Sequence, residues 1–165
     1  MFTTLNVKLA EQDTVFIQKY EKMKVQTNSD NFKPVFESAG CLLIYEKKIL
    51  LLKRSSIEDE PGLWGFPGGK REVGETPKEA LIREVKEETT IIIYKNKLNL
   101  VDKLDVRTNK DFIYRYYTYI LDEKPNITLT QEHDEYKWVD ETNVRELKMH
   151  TSDYAKIELA LRNAP

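Results

Sequence analysis

Residues 68–91, Gly-Gly-Lys-Arg-Glu-Val-Gly-Glu-Thr-Pro-Lys-Glu-Ala-Leu-Ile-Arg-Glu-Val-Lys-Glu-Glu-Thr-Thr-Ile, pass from a glycine-rich loop into a segment crowded with glutamates. No other stretch restricts the fold as tightly. Thr76 is a capping residue, Pro77 occupies the first helical position, where a missing N–H costs nothing, and Glu79 completes a capping box. The pattern predicts a helix over residues 77–88. At about 100° per residue, Leu81, Ile82 and Val85 share one side, and Glu84, Glu87 and Glu88 share the neighbouring stripe. One side is core and the next is three carboxylates. Side chains three or four apart on a helix are roughly 5–6 Å apart, and like charges at that range repel by about 3 kcal/mol at an effective dielectric near 20. A cation is therefore expected there. Hard divalent cations such as Mg²⁺ and Mn²⁺ prefer oxygen ligands, and the glycine at Gly68 lets a loop carbonyl approach them.

A solvated, charge-rich surface helix is the plainer reading of a glutamate run, but it leaves the glycines, Glu75 and Arg83 unexplained. With 165 residues, 40% of them hydrophobic, the chain can bury one core of its own. The longest apolar runs, at residues 41–45 and 49–52, are strand length, and the start of the chain lacks a basic-then-apolar leader pattern, so the expectation is an intracellular, cytoplasmic protein with no membrane span. The one cysteine, Cys41, excludes an intrachain disulfide and reads as core filler. A net charge of −2 gives no general attraction to nucleic acid or an anionic membrane. A phosphate ligand would have to be held locally.

Residues 1–34 form an extension in which Val15, Phe16, Tyr20 and Met23 approximate one helical face. It can pack on the domain that follows (residues 35–165), cover a substrate base or make a homodimer contact. Residues 39–45 and 48–53 read as a hairpin turning at Glu46-Lys47, followed by an acidic loop over 55–62. Trp64 and Phe66 are expected to pack the glycine loop against the sheet. Strands are predicted at 91–94, 97–106, 112–121 and 136–139, a loop at 125–130, and helices at 140–148 and 152–163. Tyr114, Arg115, Tyr116, Tyr117 and Tyr119 put aromatic groups on both faces of one strand. The alternation of elements gives an α/β class, as an α/β/α sandwich with a mixed sheet.

Gly69, five residues, Glu75, seven residues, then Arg83-Glu84-Val85-x-Glu87-Glu88 resembles the signature of the Nudix hydrolase family at every position but one. Trp64-Gly65-Phe66-Pro67-Gly68-Gly69-Lys70 is similar to the approach to that box in MutT-like members. The departure is Thr90, where the family has glycine. A glycine past a helix end usually supplies a left-handed residue, which would strain threonine by about 1 kcal/mol or more. The expectation is that this helix ends by another turn.

The resemblance implies the Nudix fold over about residues 36–162 and hydrolysis of a nucleoside diphosphate linked to some group X. Carboxylate-held cations suit water attack on phosphorus. By this resemblance Glu84 and Glu88 are the principal metal ligands, with Glu87 a third and the Gly68 carbonyl a fourth, for Mg²⁺ or Mn²⁺ in its place. Gly69 and an Arg83–Glu75 salt bridge support the loop, with Glu79 an alternative partner for Arg83. The general base is Glu87, or Glu132 or Glu135 from the later loop. Arg54, Lys70 and Arg115 are candidates for binding substrate. His133 either faces substrate or braces its loop by a hydrogen bond, and His150 is a weaker candidate.

A (d)NTP leads among substrates. Dinucleoside polyphosphates, ADP-ribose, nucleotide sugars, NADH and capped RNA 5′ ends remain open, because base-reading residues lie outside the box. A nucleotide-binding regulatory module would be expected to lose metal ligands, yet all three glutamates are present. An isomerase of the isopentenyl diphosphate type would need a catalytic cysteine, which Cys41 is poorly placed to be.

Overall fold

The computed structural model describes residues 31–107 and 109–163. The helical face expected at Val15, Phe16, Tyr20 and Met23 lies outside them. Among the described residues a seven-stranded mixed sheet carries one long helix on each face. Its strands are β1 (Phe36–Tyr45), β2 (Lys48–Arg54), β3 (Trp64–Gly65), β4 (Gly68–Lys70), β5 (Asn99–Arg107), β6 (Asp111–Ile120) and β7 (His133–Val139). The helices are α1 (Pro77–Thr89), between β4 and β5, and α2 (Thr151–Arg162), after β7.

Successive side chains of a strand face opposite ways, and β1 shows the consequence. Leu42 and Ile44 enter a core with Ile49, Leu51, Tyr116, Val139, Ile157 and Leu161 on the α2 side. Cys41 and Leu43 enter another with Leu50, Leu52, Leu81, Val85 and Tyr117 on the α1 side. The arrangement is the α/β/α sandwich expected.

The β1–β2 hairpin turns at Glu46 and Lys47, both with positive φ (45° and 57°), the twist that two-residue hairpins favour. Beyond it the two strands diverge. They pair only at Ile44↔Ile49 and Tyr45↔Lys48, and farther along β1 takes β4 as its neighbour instead, through Ala39↔Gly69 and Gly40↔Gly68. Cys41 N–H donates to the Pro67 carbonyl at 2.8 Å in the same place. The opening between β1 and β2 thus holds the glycine loop. On its other rim β2 pairs with β7, with a register shift after Lys53 that sets His133 beside Arg54.

Three sequence expectations need correction. Residues 91–94 form no strand: Ile91 and Ile93 are buried and Ile92 and Tyr94 exposed, a two-residue alternation made by an unpaired extended segment that enters a 3₁₀ turn at Lys95–Lys97. Residues 140–148 hold only the short 3₁₀ turn Val144–Glu146. There the Asp140 carboxylate accepts bonds from the Thr142 N–H and hydroxyl and the Asn143 N–H, a local alternative to a helix.

The third is Thr90, which does adopt the left-handed conformation (φ 65°, ψ 3°). Its neighbours hold it there. Buried Thr89 donates its hydroxyl to the Val85 carbonyl at 2.6 Å and accepts the Ile91 N–H at 3.2 Å. Thr90 N–H reaches the Lys86 carbonyl at 2.9 Å, and its hydroxyl donates to the Thr89 carbonyl at 2.5 Å. With buried residues on either side, the chain takes the family's turn without its glycine.

Candidate active site

The start of α1 sets the geometry. Thr76 and Glu79 form the capping box, with Thr76 N–H donating to Glu79 Oε2 at 2.8 Å and Glu79 N–H to the Thr76 hydroxyl at 3.3 Å. Lys95 takes the other oxygen of Glu79 at 3.0 Å. The Thr76 N–H first, then Lys95, hold the Glu79 carboxyl at about 2. Glu79 therefore does not pair with Arg83, as one expectation had it, and the arginine turns to the loop. Arg83 Nε and Nη2 donate side by side to the two oxygens of Glu75 at 2.8 and 3.0 Å, and Nη2 also reaches the Lys70 carbonyl at 3.1 Å. Arg83 Nη1 donates to Glu84 at 2.7 Å. The guanidinium fits a planar fork of acceptors that an ammonium could not fill.

Glu84 and Glu88 project from α1 toward the gap in the sheet, and the loop is shaped around them. A β-carbon at Gly69 would come within 2.6 Å of the Glu84 carboxyl, and one at Gly68 within 2.0 Å of the Ala39 carbonyl oxygen. Gly68 N–H donates to Glu88 Oε2 at 2.7 Å. Burial pushes the Glu88 carboxyl well above the usual carboxylate range, with the Gly68 bond opposing and the charges of Glu84 and Glu132 adding to the rise. Glu84 is raised mainly by burial, against the pull of Arg83. Glu87 is the most exposed of the three, its side chain 59% exposed, and it meets Arg83 Nη1 at 3.4 Å.

The third wall comes from the start of β7. The Ser55 N–H holds the Glu132 carbonyl at 2.9 Å, a support that nothing in the sequence marks. Glu88, Glu132 and His133 each offer a ligand atom within 4.8 Å of the others. The His133 side chain is nine-tenths buried, with Nε2 3.7 Å from Glu88 Oε1. Burial and then the nearby Arg54 lower its pKa. The loop-bracing hydrogen bond expected of His133 is absent among the described residues: its Nδ1 has no partner, and the loop is tied instead by the His133 N–H to the Thr130 carbonyl.

The other candidates divide. Arg54 lies close enough for its charge to act on Glu88 and His133, while Nη1 donates to the Asp59 carbonyl at 2.7 Å. Glu135 is not brought to the site, because the strand alternation turns it with Lys53 and Lys137, its ion-pair partners at 3.6 and 3.5 Å, to the α2 side. Lys70 lies over the Phe36 ring at 4.7 Å, and Arg115 pairs with Glu37 at 3.6 Å. His150 is exposed and contacts Glu60 at 3.1 Å. Cys41 is fully buried and its thiol pKa is pushed up, which suits core and not a nucleophile.

A glycine loop braced to a glutamate-bearing helix, set in the gap of a mixed sheet between two helices, is the architecture of the Nudix fold. The MutT protein of Methanosarcina mazei Go1 shares it at 27% identity and a TM-score of 0.65, over 79% of this chain and 94% of that one. Escherichia coli dihydroneopterin triphosphate pyrophosphohydrolase does so at 28% identity and a TM-score of 0.63, over 81% and 98%. In sequence, the dihydroneopterin triphosphate diphosphatase of Escherichia coli K12 is 31% identical over 132 residues, covering 72% of this chain and 85% of that protein. Residues 35–160 match the NUDIX domain, and the chain belongs to the Nudix family. It is a pyrophosphohydrolase by class. No helix among the described residues is long and apolar enough to cross a membrane.

Proposed function

We propose that the chain hydrolyses a phosphoric anhydride of a nucleoside triphosphate, most simply a (d)NTP, by water attack on phosphorus with a divalent cation, Mg²⁺ or Mn²⁺. The observation that carries this reading is the convergence of Glu88, Glu132 and His133 within 4.8 Å, beside Glu84. Two full negative charges at that separation repel by about 3 kcal/mol at an effective dielectric near 20, so the donor set fits a dication. Glu84 and Glu88 are assigned as its principal holders, with Glu132 and the Gly68 carbonyl completing the oxygen set and Glu87 outside it. The cation, when bound, neutralises phosphate charge and lowers the pKa of water.

The chain's own groups then have distinct tasks. The Gly68 N–H aims Glu88, and the Arg83–Glu75 pair keeps the loop at its distance from α1. Support of this kind orients ligands and is felt strongly when removed. Glu132 is exposed, with two oxygens that can divide the work, one toward the cation and one accepting the proton of the attacking water. Arg54, whose charge acts on Glu88 and His133, is assigned to phosphate, a group that suits its planar donors. The leading substrate is consistent with the Escherichia coli relative named above, whose name carries a triphosphate; dinucleoside polyphosphates and the other linked diphosphates remain as alternatives for the assay. Residues 1–34 are proposed as an extension beside the domain, and a cytoplasmic setting is proposed with it.

The test is phosphate and pyrophosphate release from a panel of (d)NTPs, oxidised dGTP, diadenosine tetraphosphate, ADP-ribose and capped RNA, with Mg²⁺, with Mn²⁺ and with chelator. Chelator-sensitive release from a (d)NTP supports the reading. Release from another member alone would replace the substrate, and silence with bound metal would favour a binding module.

A further inference from the structure

His133 stands in an unusual position for a histidine that makes no hydrogen bond through its ring. Its side chain is nine-tenths buried, its Nδ1 lacks a partner among the described residues, and its Nε2 faces Glu88 Oε1 across 3.7 Å. That gap is too long for a hydrogen bond. It is also a separation that a shared ion produces, since donors bound at about 2.1 Å stand roughly 3.0–4.2 Å apart around a tetrahedral or octahedral centre. Glu132, the residue before it, closes the third side. The position is built in from the strand pairing, because the register shift after Lys53 is what sets His133 opposite Arg54 beside the glycine loop. Nε2 therefore faces a buried carboxylate beyond hydrogen-bond reach, an arrangement that is costly unless something occupies the space between the two.

We propose that His133 is a ligand of the divalent cation, making this a mixed nitrogen and oxygen site that binds Mn²⁺ and its first-row neighbours ahead of Mg²⁺. An imidazole suits transition-metal dications, whereas Mg²⁺ is served by carboxylate, carbonyl and water. The proposal rests on the carboxylate site described above and adds to it a ligand that changes its metal preference. His133 then belongs to the cation and not to the substrate, and the preference should be visible with no nucleotide present.

The experiment is Mn²⁺ binding to the full chain, followed by electron paramagnetic resonance, with pulsed detection of ¹⁴N coupling to the bound ion and Mg²⁺ as competitor. The wild type should show an imidazole ¹⁴N coupling and require a large excess of Mg²⁺ for displacement. His133→Ala should lose the coupling, weaken Mn²⁺ tenfold or more and leave Mg²⁺ affinity less changed, while Glu88→Gln should weaken both. The wild-type spectrum needs no variant to fold. Mn²⁺ that is bound through Glu88 but shows no ¹⁴N coupling would overturn the histidine ligand and leave the carboxylate site standing. Mn²⁺ binding that is indifferent to Glu88→Gln would overturn both.

Discussion

Gly69 lies so close beneath Glu84 that a β-carbon on the glycine would come within 2.6 Å of the glutamate's carboxyl carbon. The loop and the helix carboxylate are fitted to one another, and the fit needs a missing side chain and not an unusual φ. Gly69→Ala should therefore push Glu84 out of place and lower turnover tenfold or more with the fold retained. Gly65→Ala, where an added β-carbon meets nothing within 4 Å, is the matched control and should behave as wild type. Steady-state rates with both variants check this, and equal rates would mean that the close approach is without consequence.

Arg83 ties Glu75, Glu84 and the Lys70 carbonyl at once, with a longer contact of 3.4 Å to Glu87. Arg83→Ala should lower the melting temperature by several degrees and cut kcat strongly, since it frees the loop and leaves half-buried carboxylates unpaired. Arg83→Lys should recover little of either, because an ammonium cannot reproduce the two parallel bonds to Glu75. Thermal unfolding followed beside kcat is the check; an unchanged melting temperature would count against bracing.

Thr90 carries a left-handed conformation on an exposed, β-branched residue. Replacing it with glycine removes that strain, worth about 1 kcal/mol, at the loss of one local hydroxyl bond to the Thr89 carbonyl. Thr90→Gly is expected to raise the melting temperature by ~2–4 °C for a domain of this size, with turnover unchanged. A fall in melting temperature would show that the hydroxyl bond outweighs the strain.

Asp153 is a buried carboxyl away from the cluster, with the Tyr116 hydroxyl donating to it at 2.9 Å. Ser152, His150 and Arg54 also act on it, and Lys156 lies over the Tyr116 ring. Burial raises its pKa from 3.8 to about 6. The native state then holds the proton more tightly than the unfolded chain. This contribution, about 3 kcal/mol, is full below about pH 4 and is lost as the pH rises through about 6. Asp153→Asn removes the titration, so wild-type stability relative to that variant should decline by about this amount between pH 4 and 7 in denaturant unfolding. A difference independent of pH would contradict the assignment.

What could be read from the sequence was whatever is decided locally. Thr76, Pro77 and Glu79 announce the helix through their own bonds, and two short apolar runs with a two-residue gap announce the β1–β2 hairpin. Residues 91–94 misled because Ile91 and Ile93 alternate with exposed residues as a strand does, while no strand pairs with them among the described residues. Residues 140–148 misled because Asp140 bonds its own neighbours. For the site, Glu84 and Glu88 were legible from helical spacing, and Gly69, Glu75 and Arg83 from the resemblance of the box that holds them. Whether Glu132 or Glu135 faces the cluster was not, because it depends on a register shift between β2 and β7 that no local pattern shows. The same shift decides where His133 goes.

Everything proposed for the site turns on the buried carboxylate of Glu88 as holder of the reactive cation. The direct measurement is nucleoside triphosphate turnover by Glu88→Gln beside the wild type, with melting temperatures recorded on the same preparations. Glutamine keeps the shape and can still accept the Gly68 N–H, but it removes a charge that burial disfavours. Glu88→Gln should lower turnover by orders of magnitude, with a melting temperature equal to or above that of the wild type measured without metal. Turnover close to wild type would contradict it.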